Sequence, residues 1–177
     1  MPSDDAVTVV ALAAGAGDEV AAADFVRATQ LEVWRFAAAL VGPQHADDVT
    51  QDTYLRALRA LPDFAGRSSA RTWLLAIARR ACADHIRAAL RTRRLDARLA
   101  VEAPPTPSGD HAGLHAAAEL IAGLPAERRV AFVLTQVLGL SYQEAATIEE
   151  IPVGTIRSRV ARARADLVAA IEAARAS

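Results

Sequence analysis

The segment Ala103-Pro-Pro-Thr-Pro-Ser-Gly-Asp110 constrains this chain more than any other stretch. Three prolines and a glycine within eight residues cannot continue a helix, and the run has almost no apolar surface to bury. Composition changes from about Arg93 to Gly113, so residues 95–113 read as a flexible linker. The chain then divides into two pieces of roughly 75 and 65 residues, each obliged to build its own core. Domains that small can fold alone, with little margin.

Both pieces read as helical, and the expected fold class is all-α: two small helical domains joined by the linker. Apolar residues make up 53% of the chain and aromatics only 5%, with much of the apolar share in alanine. Alanine is a strong helix former that buries little area. The β-branched alternation of strands is scarce. Residues 1–17 read as a loosely ordered start around a short helix near Val7–Ala14. A helix is expected from about Asp18 to Leu40, stopped at Gly42-Pro43, and another from about Ala46 to Leu61, stopped at Pro62. After the loop Asp63–Ser68, a long helix starts with Ser69 as N-cap and runs to about Arg91. Beyond the linker, helices are expected near 114–123, 126–138, 141–149 and 153–174.

The net charge of −1 hides a split. Residues 56–98 hold eleven Arg against three Asp, and residues 157–164 hold four Arg and no acid. Such zones suit a polyanion. Every basic residue is Arg, a planar fork able to grip phosphate or guanine through two hydrogen bonds.

Ser141-Tyr-Gln-Glu144 has the pattern of a capping box and marks where one helix begins. Ile151-Pro-Val-Gly-Thr155 then turns into the last helix, which together make a helix-turn-helix unit. Along that last helix Ile156, Val160, Ala163 and Leu167 fall within about 40° of one another and form the buried stripe. Ser158, Ala161, Arg162 and Ala165 lie opposite, flanked by Arg157 and Arg164 on one edge and Arg159 on the other. Alanines allow close approach to a major groove, Ser158 and Arg162 point toward base edges, and the flanking arginines reach phosphates.

In the first piece, Trp73, Arg80, Asp84, Arg87 and Arg91 share one face of the long helix, while Leu74, Ile77, Ala78, Ala81, His85 and Ala88 share the other. A Trp among arginines fits contact with unpaired bases and their backbone, and equally a Trp that caps the core beside a solvated Arg face. The preceding helix differs: Asp48, Asp52, Arg56 and Arg59 make a mixed-charge edge that suits a protein partner or a plain solvated surface, with Tyr54, Leu58 and Leu61 facing inward and Leu55 at the boundary.

These residues resemble the extracytoplasmic-function (ECF) sigma factors. Asp47-Asp-Val-Thr-Gln-Asp-Thr-Tyr-Leu-Arg-Ala-Leu58, Phe64–Leu74, Ile77-Ala-Arg-Arg80 and Asp84-His-Ile-Arg87 are similar to the family's second conserved region, over about 18–94. Leu124-Pro125, Gly139–Ala145 and Ile151–Arg159 are similar to its fourth region, in the piece spanning 114–177. The resemblance implies a bacterial RNA polymerase subunit that directs core enzyme to promoters. It implies docking on the largest-subunit clamp through Asp48, Asp52, Leu55 and Arg56, and further contact with the flap. It implies reading and opening of the −10 element by Phe64, Arg67, Ser68, Trp73, Arg80 and Arg87. It implies reading of the −35 element by Thr155, Arg157, Ser158, Arg159, Arg162 and Arg164. Family members are commonly held inactive by an anti-sigma factor. The implied partners are therefore core polymerase, promoter DNA and an anti-sigma factor, with no membrane contact of the chain's own and a cytoplasmic location.

Two positions depart from the family pattern. Glu149-Glu150 stands where Leu-Gly is usual, and a left-handed residue there is costly without Gly. Arg79-Arg80 stands where an Asn is common.

Other classes find less support. No paired-carboxylate, triad, metal or phosphate-loop pattern points to an enzyme or a cofactor. His45, His85, His111 and His115 have no ligand spacing, and Cys82, among Ala and Ile, reads as a buried inert thiol. No signal peptide or long apolar span is evident. A stand-alone helix-turn-helix regulator is the alternative, but it leaves the Trp–Arg stripe and the acidic helix without a role.

Overall fold

The structure is a computed structural model that describes residues 4–96 and 112–176. Among them it holds eight α-helices and no strand. The helices are α1 (Asp4–Gly15), α2 (Glu19–Val41), α3 (Pro43–Ala60), α4 (Ala70–Asp96), α5 (Ala112–Ala122), α6 (Ala126–Phe132), α7 (Tyr142–Glu149) and α8 (Val153–Ala176). Most of the expected linker lies outside the described residues.

The breakers act where the sequence places them. Asp18 caps α2 by accepting the Ala21 N–H at 3.0 Å. Gly42, at φ 88°, ends α2, and α3 starts at once on Pro43 instead of near Ala46. Proline is favoured at that first position because its missing N–H would have no helical partner anyway. The expected helix over 126–138 is α6 continued by a π-helical segment, Val133–Val137, before Gly139 turns the chain at φ 72°.

Where the sequence suggests only a short helix near Val7–Ala14, the described residues from Asp4 onward are helical. Asp4–Gly15 forms a three-turn helix, with Val7 and Ala11 buried. It packs on α2, on α4 and on the short 3-10 turn Leu61–Asp63.

The α1–α4 unit closes around Phe25, Val33, Phe36, Leu74, Leu75 and Cys82. Burial pushes the Cys82 thiol up to about 12, as an inert core cysteine requires. Tyr54 is likewise pushed up to about 12 by burial, while its hydroxyl bonds Thr29 at 2.7 Å. Leu58 does not face inward: it is 42% exposed. The buried residues of α3 are Ala46, Val49, Thr53, Tyr54 and Ala57, and Leu58 lies about 100° around the helix from Ala57. The second unit packs Leu134, Ile156 and Val160 between α6, α7 and α8.

The two units touch through α4 and α7. Arginines dominate the seam. Arg71 clasps Glu32 on α2 and donates to the Leu138 carbonyl at 2.5 Å. Arg129 of α6 donates to the carbonyls of Ala122 and Leu124, and reaches that of Leu40 at 3.5 Å. It thereby places a cation against the C-terminal ends of α5 and α2, where the helix dipoles favour it.

Candidate DNA and polymerase interfaces

The capping box of α7 is closed in both directions. Ser141 Oγ accepts the Glu144 N–H at 3.2 Å, and the Glu144 carboxylate accepts the Ser141 N–H at 2.8 Å. Three residues, Glu150-Ile-Pro152, then carry the chain into α8. Ile156, Val160 and Ala163 of α8 are buried, as their spacing predicts, and Leu167 is half-buried.

The rest of the α8 surface, opposite the stripe and along its edges, is sorted by its neighbours. Arg157, Ser158, Arg162 and Arg164 are exposed. Among the described residues, neither Arg157 nor Arg162 has an ion-pair partner. Arg164 donates to Gln136 Oε1 at 2.5 Å. Arg159 is turned toward Glu127 at 2.7 Å and Glu149 at 3.5 Å. Ser158 bonds the Thr155 carbonyl within its own helix, and Thr155 is half-buried beside the turn. The face therefore offers two free guanidinium forks with two tethered arginines at its rim, on a helix small enough along Ala161 and Ala165 to enter a major groove.

Phe64, in the loop ahead of α4, lies against Trp73 of that helix. Phe64 is 9% exposed and stacks on Trp73, with ring centroids 4.9 Å apart. Phe64 thus backs the half-buried Trp73 instead of presenting its own face. Arg67 is exposed on the loop. Ser69, next to Ser68, caps α4 as expected, its Oγ accepting the Thr72 N–H at 3.1 Å.

On α4 the arginines are partly engaged. Arg79 Nε donates to Glu149 at 2.5 Å, and Arg80 donates to Glu150 at 2.5 Å. The two residues that depart from the family pattern in one unit therefore face the two that depart in the other. Arg87 pairs with Asp84. Glu150 itself takes the left-handed conformation, φ 56° and ψ 40°, without a glycine. It is the only described residue other than glycine with positive φ.

On α3, Asp48 and Leu55 are exposed, and Leu55 with Leu58 forms a small apolar spot beside the acids. Arg56 is not a free cation. It bridges Asp52 at 2.8 Å and Asp84 of α4 at 2.6 Å, clamping the two helices. The Arg56 and Arg87 guanidiniums hold the Asp84 carboxyl below its usual range. In turn the hydrogen bonds to Asp84 and Asp52 raise Arg56. Sequence reading missed Asp47, which accepts Trp34 Nε1–H at 2.8 Å and pins α2 to α3. It also missed Glu32 and Arg71, whose separation of 39 residues leaves no local signal.

Comparison with known proteins agrees with this geometry. The family model "Sigma-70 region 2" matches residues 25–92, and "Sigma-70, region 4" matches residues 114–167. The "ECF RNA polymerase sigma factor SigC" of Mycobacterium tuberculosis is 50% identical over 173 residues, covering 96% of this chain and 93% of that one. The "ECF RNA polymerase sigma-E factor" of Escherichia coli is 34% identical, covering 84% and 85%. Among solved structures, CnrH bound to the cytosolic domain of CnrY superposes with a TM-score of 0.73 at 28% identity, covering 94% of this chain and 97% of that one. The sigma factor RpoE of Bartonella quintana, bound to the anti-sigma factor NepR, gives 0.72 at 27% identity, covering 83% and 94%. The chain belongs to the ECF family of RNA polymerase sigma factors.

Proposed function

We propose that this sigma factor divides its work among three surfaces. The exposed edge of α3, with Asp48, Asp52, Leu55 and Arg56, docks on the clamp of core RNA polymerase, and the second unit meets the flap. Arg67, Ser68, Trp73, Arg80 and Arg87, with Phe64 behind Trp73, capture and open the −10 element. Arg157 and Arg162, with Thr155, Ser158, Arg159 and Arg164 around them, read the −35 element.

The observation that carries this reading is the pair of unpartnered guanidiniums, Arg162 opposite the buried stripe of a capped helix-turn-helix and Arg157 at its edge. A bidentate Arg–guanine contact discriminates by about 1–3 kcal/mol. Arg79 and Arg80, by contrast, are held by Glu149 and Glu150. Promoter phosphates take the place of those carboxylates when the two units separate along DNA. The solved neighbour bound to an anti-sigma factor supports a protein inhibitor of that class for this chain. As an initiation factor the chain contributes binding and strand separation, not a chemical reaction. It works in the cytoplasm with the polymerase. Among the described residues no helix is long and apolar enough to cross a membrane.

Two variants separate the surfaces. Asp52→Ala weakens affinity for core polymerase and leaves −35 duplex binding by the holoenzyme intact. Arg162→Ala leaves core affinity intact and flattens the preference for the cognate −35 sequence. Unchanged core affinity in Asp52→Ala would refute the docking assignment.

A further inference from the structure

Helix α1 lies outside the residues matched by the sigma family models, yet it touches the segment from Leu61 to Ala70, which leads into and includes the start of the −10 surface, at three points. At the start of the segment, Gly15 abuts the 3-10 turn so closely that an added Cβ would sit 2.5 Å from the Leu61 carbonyl oxygen. In the middle, the methyls of Leu12 lie 3.7 Å from where a Cβ would stand on Gly66, whose φ is 65°. At the end, Thr8 Oγ1 accepts the N–H of Ala70, the first residue of α4, at 3.0 Å.

The Thr8 hydroxyl is used in both directions, since it also donates to the Asp4 carbonyl at 2.8 Å. A donor and an acceptor thus fix its rotamer. The first N–H groups of a helix have no partner inside the helix. Ser69 serves the Thr72 N–H locally, and Thr8 serves Ala70 from 62 residues away. Between these contacts runs the loop that carries Phe64, Arg67 and Ser68. Its backbone includes one left-handed residue, Gly66, and little secondary structure of its own.

We propose that α1 is the backing plate of the −10 segment, and that Thr8 is a positioning residue for capture of the −10 strand. Thr8 touches no DNA. It sets the start of α4, and with it the placement of Trp73 and of the loop in front of it. The proposal rests on reading residues 64–87 as the −10 contact surface.

The test uses holoenzyme assembled from core polymerase and full-length chain. The probes are a fluorescent single-stranded oligonucleotide carrying the non-template −10 strand of a promoter the wild-type holoenzyme transcribes, and a duplex carrying its −35 element. Thr8→Val keeps the shape of the side chain and removes the hydrogen bonds. It lowers affinity for the −10 strand about fivefold, the size of one net hydrogen bond, and leaves core and −35 affinities unchanged. Thr8→Ser restores −10 affinity to within about twofold of wild type. Leu12→Ala, at an exposed position, gives the same pattern more weakly even where Thr8→Val folds poorly. Thr8→Val with wild-type −10 affinity overturns the proposal. So does a proportional loss of core, −35 and −10 binding in both Thr8→Val and Leu12→Ala. Arg67→Ala serves as the reference: if it leaves −10 affinity unchanged, the reading of the segment fails. If it lowers −10 affinity while the α1 variants do not, only the role of α1 fails.

Discussion

The Glu149 carboxylate sits between Arg79 of α4, whose Nε is 2.5 Å away, and Arg159 of α8, whose Nη1 is 3.5 Å away. With its side chain 5% exposed, Glu149 ties α4 of the first unit to α8 of the second. Removing one partner of a buried pair leaves the other charges without compensation. Glu149→Gln is therefore expected to cost about 1–3 kcal/mol, less than a fully buried pair because Arg79 and Arg159 retain some solvent. It is also expected to loosen the contact between α4 and α7. Thermal unfolding measures the first effect and small-angle X-ray scattering the second. Superimposable scattering curves for variant and wild type would contradict this role of Glu149.

Arg80 and Glu150 form an exposed pair, with side chains 64% and 69% accessible. Such pairs add little stability. Glu150 also holds a left-handed backbone that glycine adopts freely. Glu150→Gly is expected to raise the unfolding midpoint, with a gain of up to about 1 kcal/mol, because relieved strain exceeds the weak ion pair and the extra chain entropy. Glu150→Val is expected to lower it, since a β-branched residue is poorly tolerated at positive φ. Calorimetry of the two variants beside wild type decides the sign.

The Asp84–Arg56 clamp has a pH signature. Hydrogen bonds from Arg56 and then Arg87 hold the Asp84 carboxyl below its ordinary value, so the folded-state pKa is the lower of the two states. The stabilisation is complete above the unfolded-state value near pH ~4 and is lost as pH falls through the folded one. Asp84→Asn is expected to flatten part of the acid limb of a urea-midpoint titration between about pH 6 and pH 3. An acid limb identical to that of the wild type would show that the clamp contributes nothing.

Cys82 is fully buried and its thiol is pushed up to about 12. Only thiolate reacts rapidly with disulfide reagents. At about pH 8 the native chain is expected to resist such a reagent and the unfolded chain to consume one equivalent. Rapid labelling of the native chain would place Cys82 outside the core.

Local patterns were legible because they are local. The capping box Ser141–Glu144, the N-cap Ser69 and the buried stripe Ile156–Val160–Ala163 each depend on residues within a few turns, and each is present. Leu58 misled because, Tyr54 apart, the buried residues of α3 are Ala, Val and Thr, which weigh less in a reading guided by large apolar side chains. Helix α1 was undervalued for a related reason: only Val7 and Ala11 are fully buried, and its anchor at Ala70 lies far along the chain. Glu149-Glu150 was visible as a departure from the family pattern. Its partners Arg79 and Arg80 were visible as another, but only the fold brings the two departures together. The packing of Phe64 against Trp73 was not legible, because periodicity does not extend into a loop.

The central claim is that this chain makes core RNA polymerase selective for promoters. Run-off transcription measures it most directly, using purified core enzyme, the full-length chain and promoter fragments from its own genome. Discrete transcripts that appear only when the chain is added, with −10 thymines of the non-template strand becoming reactive to permanganate, are the predicted result. Failure to bind core polymerase and to start transcription on any such template would contradict it.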